Sequence, residues 1–295
     1  MIRQGFAVTR KLKGINARRL FSNTTIHSKL ALVMGSNGAL GSAIASHLQY
    51  KGHEVIGADV TAPSDSTPVD AFIQLEDTHS VEELLDSLNN GMQELFSDVE
   101  NELLDAIICA NGGFAMDELE NNAQVHDLMM RMNYFPTVAA AELCKTYMST
   151  EDGLFVVFGA ASASIDHVDS RNACGISAYA GSKNAVHYLV HSLGLLTGKR
   201  LSQKKTTDDF KIHASRIHPY LDELSVVGIL PTILDTEANR ASMGGEDKDY
   251  TSWTKVEDIA KEVGSWVDLP DLRPNSGSLI KAVTKNGETD FVLHR

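Results

Sequence analysis

Short apolar segments alternate along this chain with longer stretches whose apolar residues recur at helical spacing, and this alternation is the strongest constraint on its fold. Strands that are apolar along their whole length belong in a parallel sheet, because helices then cover both of its faces. The predicted strands span residues 30–34, 54–59, 71–75, 104–110, 154–158, 224–230 and 278–284, and the long helical patterns span 81–96, 123–148 and 178–198. No internal repeat or Pro/Gly-rich linker divides them, so the sequence predicts one α/β domain with a doubly wound parallel sheet.

The first 28 residues differ in charge from the rest of the chain. They hold six basic residues and no acidic one, whereas residues 29–295 hold 20 basic and 39 acidic residues, a net charge of −19 within a total of −13. A basic, acid-free leader with scattered apolar residues is typical of a mitochondrial presequence, and the alternative is a disordered basic leader on a cytoplasmic protein. The acidic remainder argues against a nucleic-acid partner, and a mean hydropathy of −0.13 argues against a membrane protein.

A glycine-rich loop follows the first predicted strand and precedes a helical stretch. Glycines in this place let backbone N–H groups approach a pyrophosphate, and the positive end of the following helix attracts the same anion, as in the Rossmann fold. The candidate cofactor-binding residues of this loop are Gly35, Asn37, Gly38, Ala39, Leu40 and Gly41. The alternative is a merely flexible turn.

Asp59 ends the second predicted strand, 18 residues after Gly41. A carboxylate there can accept hydrogen bonds from both hydroxyls of an adenosine ribose, and it repels a 2′-phosphate. The sequence therefore predicts NADH as the cofactor, with NADPH less favoured. The alternative is an ordinary polar residue at a strand end.

Tyr179 and Lys183 stand at the start of a long helical stretch, four residues apart and so on one face of the helix. A lysine ammonium near a phenol favours the phenolate, which predicts a pKa of Tyr179 lowered towards neutrality and a proton donor at physiological pH. A Tyr-x-x-x-Lys pattern alone is common on surface helices. The pair is a catalytic candidate because it occurs together with the glycine loop.

These motifs together resemble the short-chain dehydrogenase/reductase superfamily, whose members also carry an Asn-x-Gly turn after the fourth strand. In this chain the turn consists of Asn111, Gly112 and Gly113. Within the superfamily, residues 29–295 are similar to the dihydropteridine reductases. The narrower likeness rests on the aromatic Phe114 after the two glycines and on the C-terminal segments 230–236 and 273–280.

The resemblance implies a Rossmann-fold homodimer that pairs through the helical stretches 123–148 and 178–198. It also implies a reaction, in which NADH reduces quinonoid 6,7-dihydropteridine to the tetrahydropteridine, as in tetrahydrobiopterin recycling. Tyr179 would supply or stabilise the proton, and Lys183 would also bind the cofactor ribose. The further contacts that it implies are Asp77 at the adenine, Thr236 at the nicotinamide carboxamide, and Asn111, Gly112 and Gly113 in the cofactor site. Phe114 is the expected substrate contact, a ring that stacks on the pterin, and its alternative is plain core packing.

Two further catalytic candidates stay open. Asn133 matches the superfamily Asn that binds a water for proton relay, and its alternative is a residue on a helix surface. The superfamily serine near the end of the fifth strand is replaced by Ala160, as in dihydropteridine reductases, so Ser162 or Ser164 is a candidate substitute. A substrate-binding Ser162 would favour a rival function, a short-chain reductase acting on a carbonyl substrate. A third alternative is a non-catalytic protein that senses NAD(H).

The sequence predicts no metal site. His187 and His191 lie four residues apart on one helix face, but without an acidic companion we expect them to be buried and hydrogen-bonded. Residues 199–222 form a polar insertion before the sixth strand, for which the sequence offers no function.

Overall fold

The apolar segments form one sheet in the computed structural model of the chain, which describes residues 8–9, 28–64, 67–97, 103–118, 120–164, 175–197, 223–245 and 248–294. The strands are β1 (Val8–Thr9), β2 (Leu30–Met34), β3 (Glu54–Asp59), β4 (Ala71–Gln74), β5 (Ala106–Cys109), β6 (Leu154–Phe158), β7 (Ser225–Pro231), β8 (Leu234–Asp235), β9 (Thr254–Lys255), β10 (Ser278–Lys285) and β11 (Glu288–Leu293). Strands β8 and β9 pair with each other, and the others form the main sheet in the order β1-β4-β3-β2-β5-β6-β7-β10-β11.

The helices are α1 (Ala39–Tyr50), α2 (Val81–Phe96), α3 (Asn122–Met129), α4 (Phe135–Tyr147), α5 (Ser177–Leu196), α6 (Glu237–Met243) and α7 (Val256–Asp268). The sequence predicted one helix over 123–148, but a π-helical turn at Met130–Tyr134 separates α3 from α4. Periodicity alone does not reveal such a turn, because the apolar pattern continues through it.

In the main sheet the strands β4-β3-β2-β5-β6-β7-β10 are all parallel, which confirms the predicted doubly wound sheet of the Rossmann type. The chain places β3 and β4 on one side of β2 and then returns to place β5 on the other side. Strand order therefore reverses between β2 and β5. In open α/β sheets a ligand crevice lies at such a reversal, outside the carboxyl ends of the strands.

Neighbouring residues of β2 point to opposite faces of the sheet and are all buried, which explains why the strands show no polar alternation. Leu32 joins a core that includes Leu88 of α2, whereas Ala31 joins a core that includes Ile44 of α1 and Trp266 of α7. Helices α4 and α5 pack in the first of these cores. The packing of α5 on one face of the sheet thus fixes the position of this helix.

Strand β11 was missed by the sequence analysis because it lies at the edge of the sheet and its side chains are mostly exposed or half-buried. The mixed polar and apolar composition of such a strand gives no continuous apolar run. Strand β1 pairs antiparallel with β4 at the opposite edge. Apart from Val8, Thr9 and Ser28, the predicted leader lies outside the described residues, and so does the whole insertion from 199 to 222. Among the described helices, none has both the length and the apolar character needed to cross a membrane.

Candidate active site

The glycine loop between β2 and α1 is folded so tightly that side chains would not fit at two of its glycines. Gly35 has a φ of +75°, and a Cβ there would lie 2.9 Å from the backbone nitrogen of Asn111. A Cβ on Gly41 would lie 2.1 Å from the carbonyl oxygen of Gly35. Gly38 donates its N–H to that same carbonyl oxygen at 3.1 Å. Glycine is therefore required where the loop contacts α1 and the turn after β5.

Asp59 lies at the carboxyl end of β3, beside this loop, as the sequence predicted. Its carboxylate accepts hydrogen bonds from the backbone N–H of Asn37 and Thr61 and from the hydroxyl of Thr61, each at 3.0 Å. The side-chain amide of Asn37 in turn donates to the carbonyl oxygen of Thr61 at 2.7 Å. Each carboxylate oxygen can accept more than one hydrogen bond, so Asp59 can hold the loop and still accept from a ribose hydroxyl.

These residues fit a dinucleotide cofactor. Gly35 and Gly41 let the loop pack against neighbouring backbone more closely than any side chain would allow, and Gly38 at the cap position of α1 has no side chain to bond the first N–H groups of the helix. Asp59 is an acceptor of the kind that binds ribose hydroxyls. Asp77 is exposed on the segment after β4, and its adenine contact stays a prediction.

Lys183 belongs to α5 and its side chain is buried; its ammonium donates a hydrogen bond to the carbonyl oxygen of Phe158 at 2.9 Å. Burial lowers the pKa of Lys183 to about 8. Gly112 lies against it, since a Cβ on that glycine would be 3.0 Å from the lysine nitrogen. Lys183 and the Asn111–Gly113 turn therefore meet at the reversal of strand order.

Tyr179 packs beside Phe114 with the two rings edge to face, their centroids 5.0 Å apart and their planes at 72°. Burial raises the pKa of the Tyr179 phenol to about 12. The predicted lowering by Lys183 is therefore wrong for the protein's own groups. The ammonium of Lys183 is engaged by Phe158, and burial disfavours the charged forms of both side chains.

Asn133 is buried in the π-helical turn rather than placed on a helix surface. Its side-chain oxygen Oδ1 accepts the backbone N–H of Gly113 at 3.0 Å. Its side-chain nitrogen Nδ2 donates to the backbone carbonyl oxygen of Gly113 at 3.1 Å and to the hydroxyl of Ser182 at 3.0 Å. The extra residue of a π-helical turn redirects side chains and is frequent at functional sites. Asn133 thus joins the turn after β5 to helix α5.

Ala160 follows β6 and donates its backbone N–H to the Nε2 atom of His187 at 3.1 Å. Ser162 is exposed in the short 3₁₀ turn Ala161–Ala163. Ser164 is buried and hydrogen-bonded to the Nε2 atom of His294. The structure therefore presents Ser162, and not Ser164, as a hydroxyl open to solvent.

Thr236 precedes α6, and its hydroxyl oxygen accepts the N–H of Asn239 at 3.2 Å as an N-terminal cap. The hydroxyl proton is still available, so a contact with a nicotinamide carboxamide stays a prediction. Sequence reasoning missed Ser182 and His294. The position of Ser182 directly before Lys183 was an available signal, whereas nothing local connects His294 with a serine 130 residues away.

His187 is buried and hydrogen-bonded, as predicted. The predicted burial is wrong for His191, which is exposed, although it does bond the carbonyl oxygen of Gly277 at 2.9 Å. A Cβ on Gly159 would lie 2.2 Å from the Nε2 atom of His187, so glycine is needed beside it. In the described part of the chain no group of three or more His, Cys, Asp or Glu side chains is placed to hold a metal ion, and His213 and His218 lie outside that part.

The lowered pKa of His187 should make the free energy of unfolding depend on pH. Burial, with smaller contributions from His294, Lys183 and His191, lowers this pKa to about 4. Because the unfolded chain binds the proton at about pH 6.5, we expect the free energy of unfolding to fall as the pH decreases from 6.5 to 4, by up to about 3 kcal/mol. Urea unfolding at several pH values would measure it. His187→Gln should flatten this part of the curve, and an equally steep curve in the variant would contradict the assignment.

Comparisons with known proteins agree with this architecture. A family model described as short chain dehydrogenase matches residues 29–200. A dihydropteridine reductase from Dictyostelium discoideum is 25% identical over 268 residues, which cover 90% of this chain and 98% of that protein.

Solved structures resemble the fold at lower identity. An aldohexose dehydrogenase from Thermoplasma acidophilum superposes with a TM-score of 0.63 at 18% identity, over 86% of this chain and 92% of that one. The structure of BdcA in complex with NADPH gives a TM-score of 0.62 at 19% identity, over 90% and 96% of the two chains.

Proposed function

This chain belongs to the short-chain dehydrogenase family, and from that membership we propose that it is an NAD(P)H-dependent reductase of the dihydropteridine reductase type, acting on quinonoid dihydropterin. The observation that carries the proposal is the ring of Phe114, which is 56% exposed yet held edge-on against Tyr179. An exposed aromatic ring beside a phenol suits a flat heterocyclic substrate. The similarity to the Dictyostelium discoideum dihydropteridine reductase over nearly all of its length supports the same substrate class.

In the proposed reaction a bound reduced nicotinamide supplies the hydride. The glycine loop would receive the pyrophosphate, Asp59 would accept the ribose hydroxyls, and Lys183 would donate to the second ribose. Tyr179 keeps its proton at neutral pH, because burial raises its pKa to about 12. Its hydroxyl can therefore donate to a substrate ring nitrogen on which negative charge develops.

The decisive assay mixes the purified chain with NADH and quinonoid dihydropterin, then with a panel of aldehydes and ketones. We expect turnover of the dihydropterin and weak or no turnover of the carbonyl panel. Ala160 at the place of the usual substrate-binding serine suits a ring imine, whereas the exposed Ser162 is the feature that would favour carbonyl reduction. Turnover confined to carbonyl compounds would reject the pterin proposal, and binding of NADH without any turnover would favour the sensor.

We expect Asp59 to set the cofactor preference. Replacing Asp59 with Asn should shift the ratio of kcat/KM values for NADH and NADPH towards NADPH by at least about tenfold. The neutral amide no longer repels a 2′-phosphate, while its oxygen can still accept the N–H of Asn37. Parallel assays with the two cofactors would measure the ratio. Asp86→Asn makes the same charge change on the exposed surface of α2 and is the matched control; a ratio equal in all three proteins would clear Asp59 of this role.

The proposed assembly is a homodimer that pairs through helices α3, α4 and α5. Leu128 of α3 and Tyr188 and Leu195 of α5 are large apolar side chains exposed on these helices. Such side chains could be covered in a protein–protein contact of the kind proposed.

A further inference from the structure

The segment Gly113–Asp117, called the strap below, crosses the candidate active site and is fastened at both ends. At its first end, Asn133 bonds both the N–H and the carbonyl oxygen of Gly113. At its last end, Asp117 donates its backbone N–H to the carbonyl oxygen of Gly175 at 2.8 Å. The strap is therefore attached to the π-helical turn on one side and to the entrance of α5 on the other.

The side chain of Asp117 makes the second attachment stronger. Its carboxylate oxygens accept the N–H of Ser177 at 2.7 Å and the N–H of Ala178 at 3.0 Å, the first two N–H groups of α5. Ile176 occupies the cap position of this helix and has no side-chain acceptor, so Asp117 caps it from 60 residues away in the sequence. A carboxylate at a helix N-terminus satisfies unpaired donors and matches the helix dipole.

The direction in which the pKa of Asp117 is shifted agrees with this arrangement. Burial opposes ionisation, but the hydrogen bonds from Ala178 and Ser177 outweigh it and hold the pKa of the Asp117 carboxyl below its usual range. The side chain is consequently ionised at neutral pH, which is the form that caps a helix best.

Two residues between the two attachments, Phe114 and Ala115, lie beside Tyr179. Ala178, whose N–H bonds Asp117, directly precedes Tyr179 in α5. Ala115 of the strap packs with Tyr179 against a small apolar cluster that contains Val125 and Ala178. Phe114 contacts the ring of Tyr179 edge to face. The carboxylate that caps α5 is thus covalently three residues from the ring that lies on Tyr179.

We propose that Asp117 is a positioning residue for the reduction, which holds the first turn of α5 and the strap in one fixed relation so that Tyr179 and Phe114 face the substrate as a unit. The assignment of the substrate rests on the function proposed above. Asp117 itself touches neither of the expected reactants; it acts through Tyr179 and Phe114. A small displacement between such groups is costly, because proton transfer and ring stacking both depend on closely set distances.

The kinetic test uses Asp117→Ala in the full chain. We expect kcat/KM for quinonoid dihydropterin to fall by about 10- to 100-fold, while the Kd for NADH changes less than about twofold. Asp117→Asn keeps one accepting oxygen and should lie between the two proteins. Asp127→Ala is the matched control, because it removes a 66% exposed carboxylate of α3 that pairs with Arg131 and not with α5. A kcat/KM of Asp117→Ala equal to that of the parent would overturn the proposal.

A double-mutant cycle separates positioning from a general loss of structure. In a Tyr179→Phe background, Asp117→Ala should lower kcat by less than about threefold, because the Tyr179 hydroxyl whose position it fixes is already gone and only the placement of Phe114 remains to be disturbed. An effect on kcat as large as in the parent would show that Asp117 does not act through Tyr179, and would overturn the proposal.

Amide hydrogen exchange gives a readout that needs no substrate. Asp117→Ala should speed exchange in both 113–118 and 175–183, and Asp127→Ala in neither. Unchanged exchange in 175–183 would overturn the coupling between strap and helix. If the parent protein reduced no dihydropterin, the proposed function would fail, whereas the exchange comparison would still decide whether Asp117 ties the strap to α5.

Discussion

We expect the replacement of Tyr179 with Phe to lower kcat for dihydropterin by about 100- to 10,000-fold, while the Kd for NADH changes less than about twofold. The substitution removes the hydroxyl and keeps the ring, so the edge-to-face contact with Phe114 survives. Since burial raises the pKa of this phenol to about 12, the parent side chain carries its proton throughout the neutral range. Steady-state oxidation of NADH measures kcat, and quenching of intrinsic fluorescence measures cofactor binding.

Tyr50→Phe is the control for this experiment. Tyr50 is 85% exposed at the end of α1, and the same chemical change there should leave both constants as they were. A Tyr179→Phe enzyme as fast as the parent would remove Tyr179 from the mechanism. A loss of both turnover and cofactor binding would instead place the phenol in the cofactor site.

Gly41→Ala should weaken NADH binding by about 100-fold, equivalent to roughly 3 kcal/mol of overpacking. The added Cβ would lie 2.1 Å from the carbonyl oxygen of Gly35 and 3.0 Å from the Cα of Ser36, and both are backbone atoms that cannot rotate away. The loop must therefore move off α1, which separates the backbone groups that are expected to surround the pyrophosphate. Titration calorimetry with NADH would measure the change.

Gly181→Ala provides the matched control for that substitution. Gly181 is also a helical glycine, but a Cβ there would meet no heavy atom within 4 Å. Alanine favours a helix over glycine by up to about 1 kcal/mol, so this variant should be slightly more stable than the parent. If Gly41→Ala bound NADH as tightly as Gly181→Ala, the loop could not be the cofactor cradle.

Much of the fold could be predicted because its strands are buried on both faces. Leu32 and Ala31 enter different cores, and a strand of that kind appears in the sequence as an unbroken apolar run. The glycine loop and Asp59 were found for a similar reason, since each occupies a fixed place relative to a strand end. Edge strand β11 escaped because most of its side chains meet solvent.

The parts of the site that escaped prediction depend on distant contacts or on burial. Asp117 and Ser177 are 60 residues apart, and Ser164 and His294 are 130 residues apart, so no local pattern connects them. The pKa of Tyr179 was predicted in the wrong direction, because helical spacing places Lys183 nearby but does not reveal how little water reaches either group.

The reversal of strand order at β2 separates two groups of candidate site residues. The glycine loop and Asp59 come from the half built before the reversal, whereas the strap, Tyr179 and α6 come from the half built after it. We therefore expect substitutions in the strap to change the surroundings of Tyr179 while leaving the glycine loop and Asp59 in place. A Thermoplasma acidophilum aldohexose dehydrogenase that keeps this fold at 18% identity shows how widely side chains can diverge on such a frame.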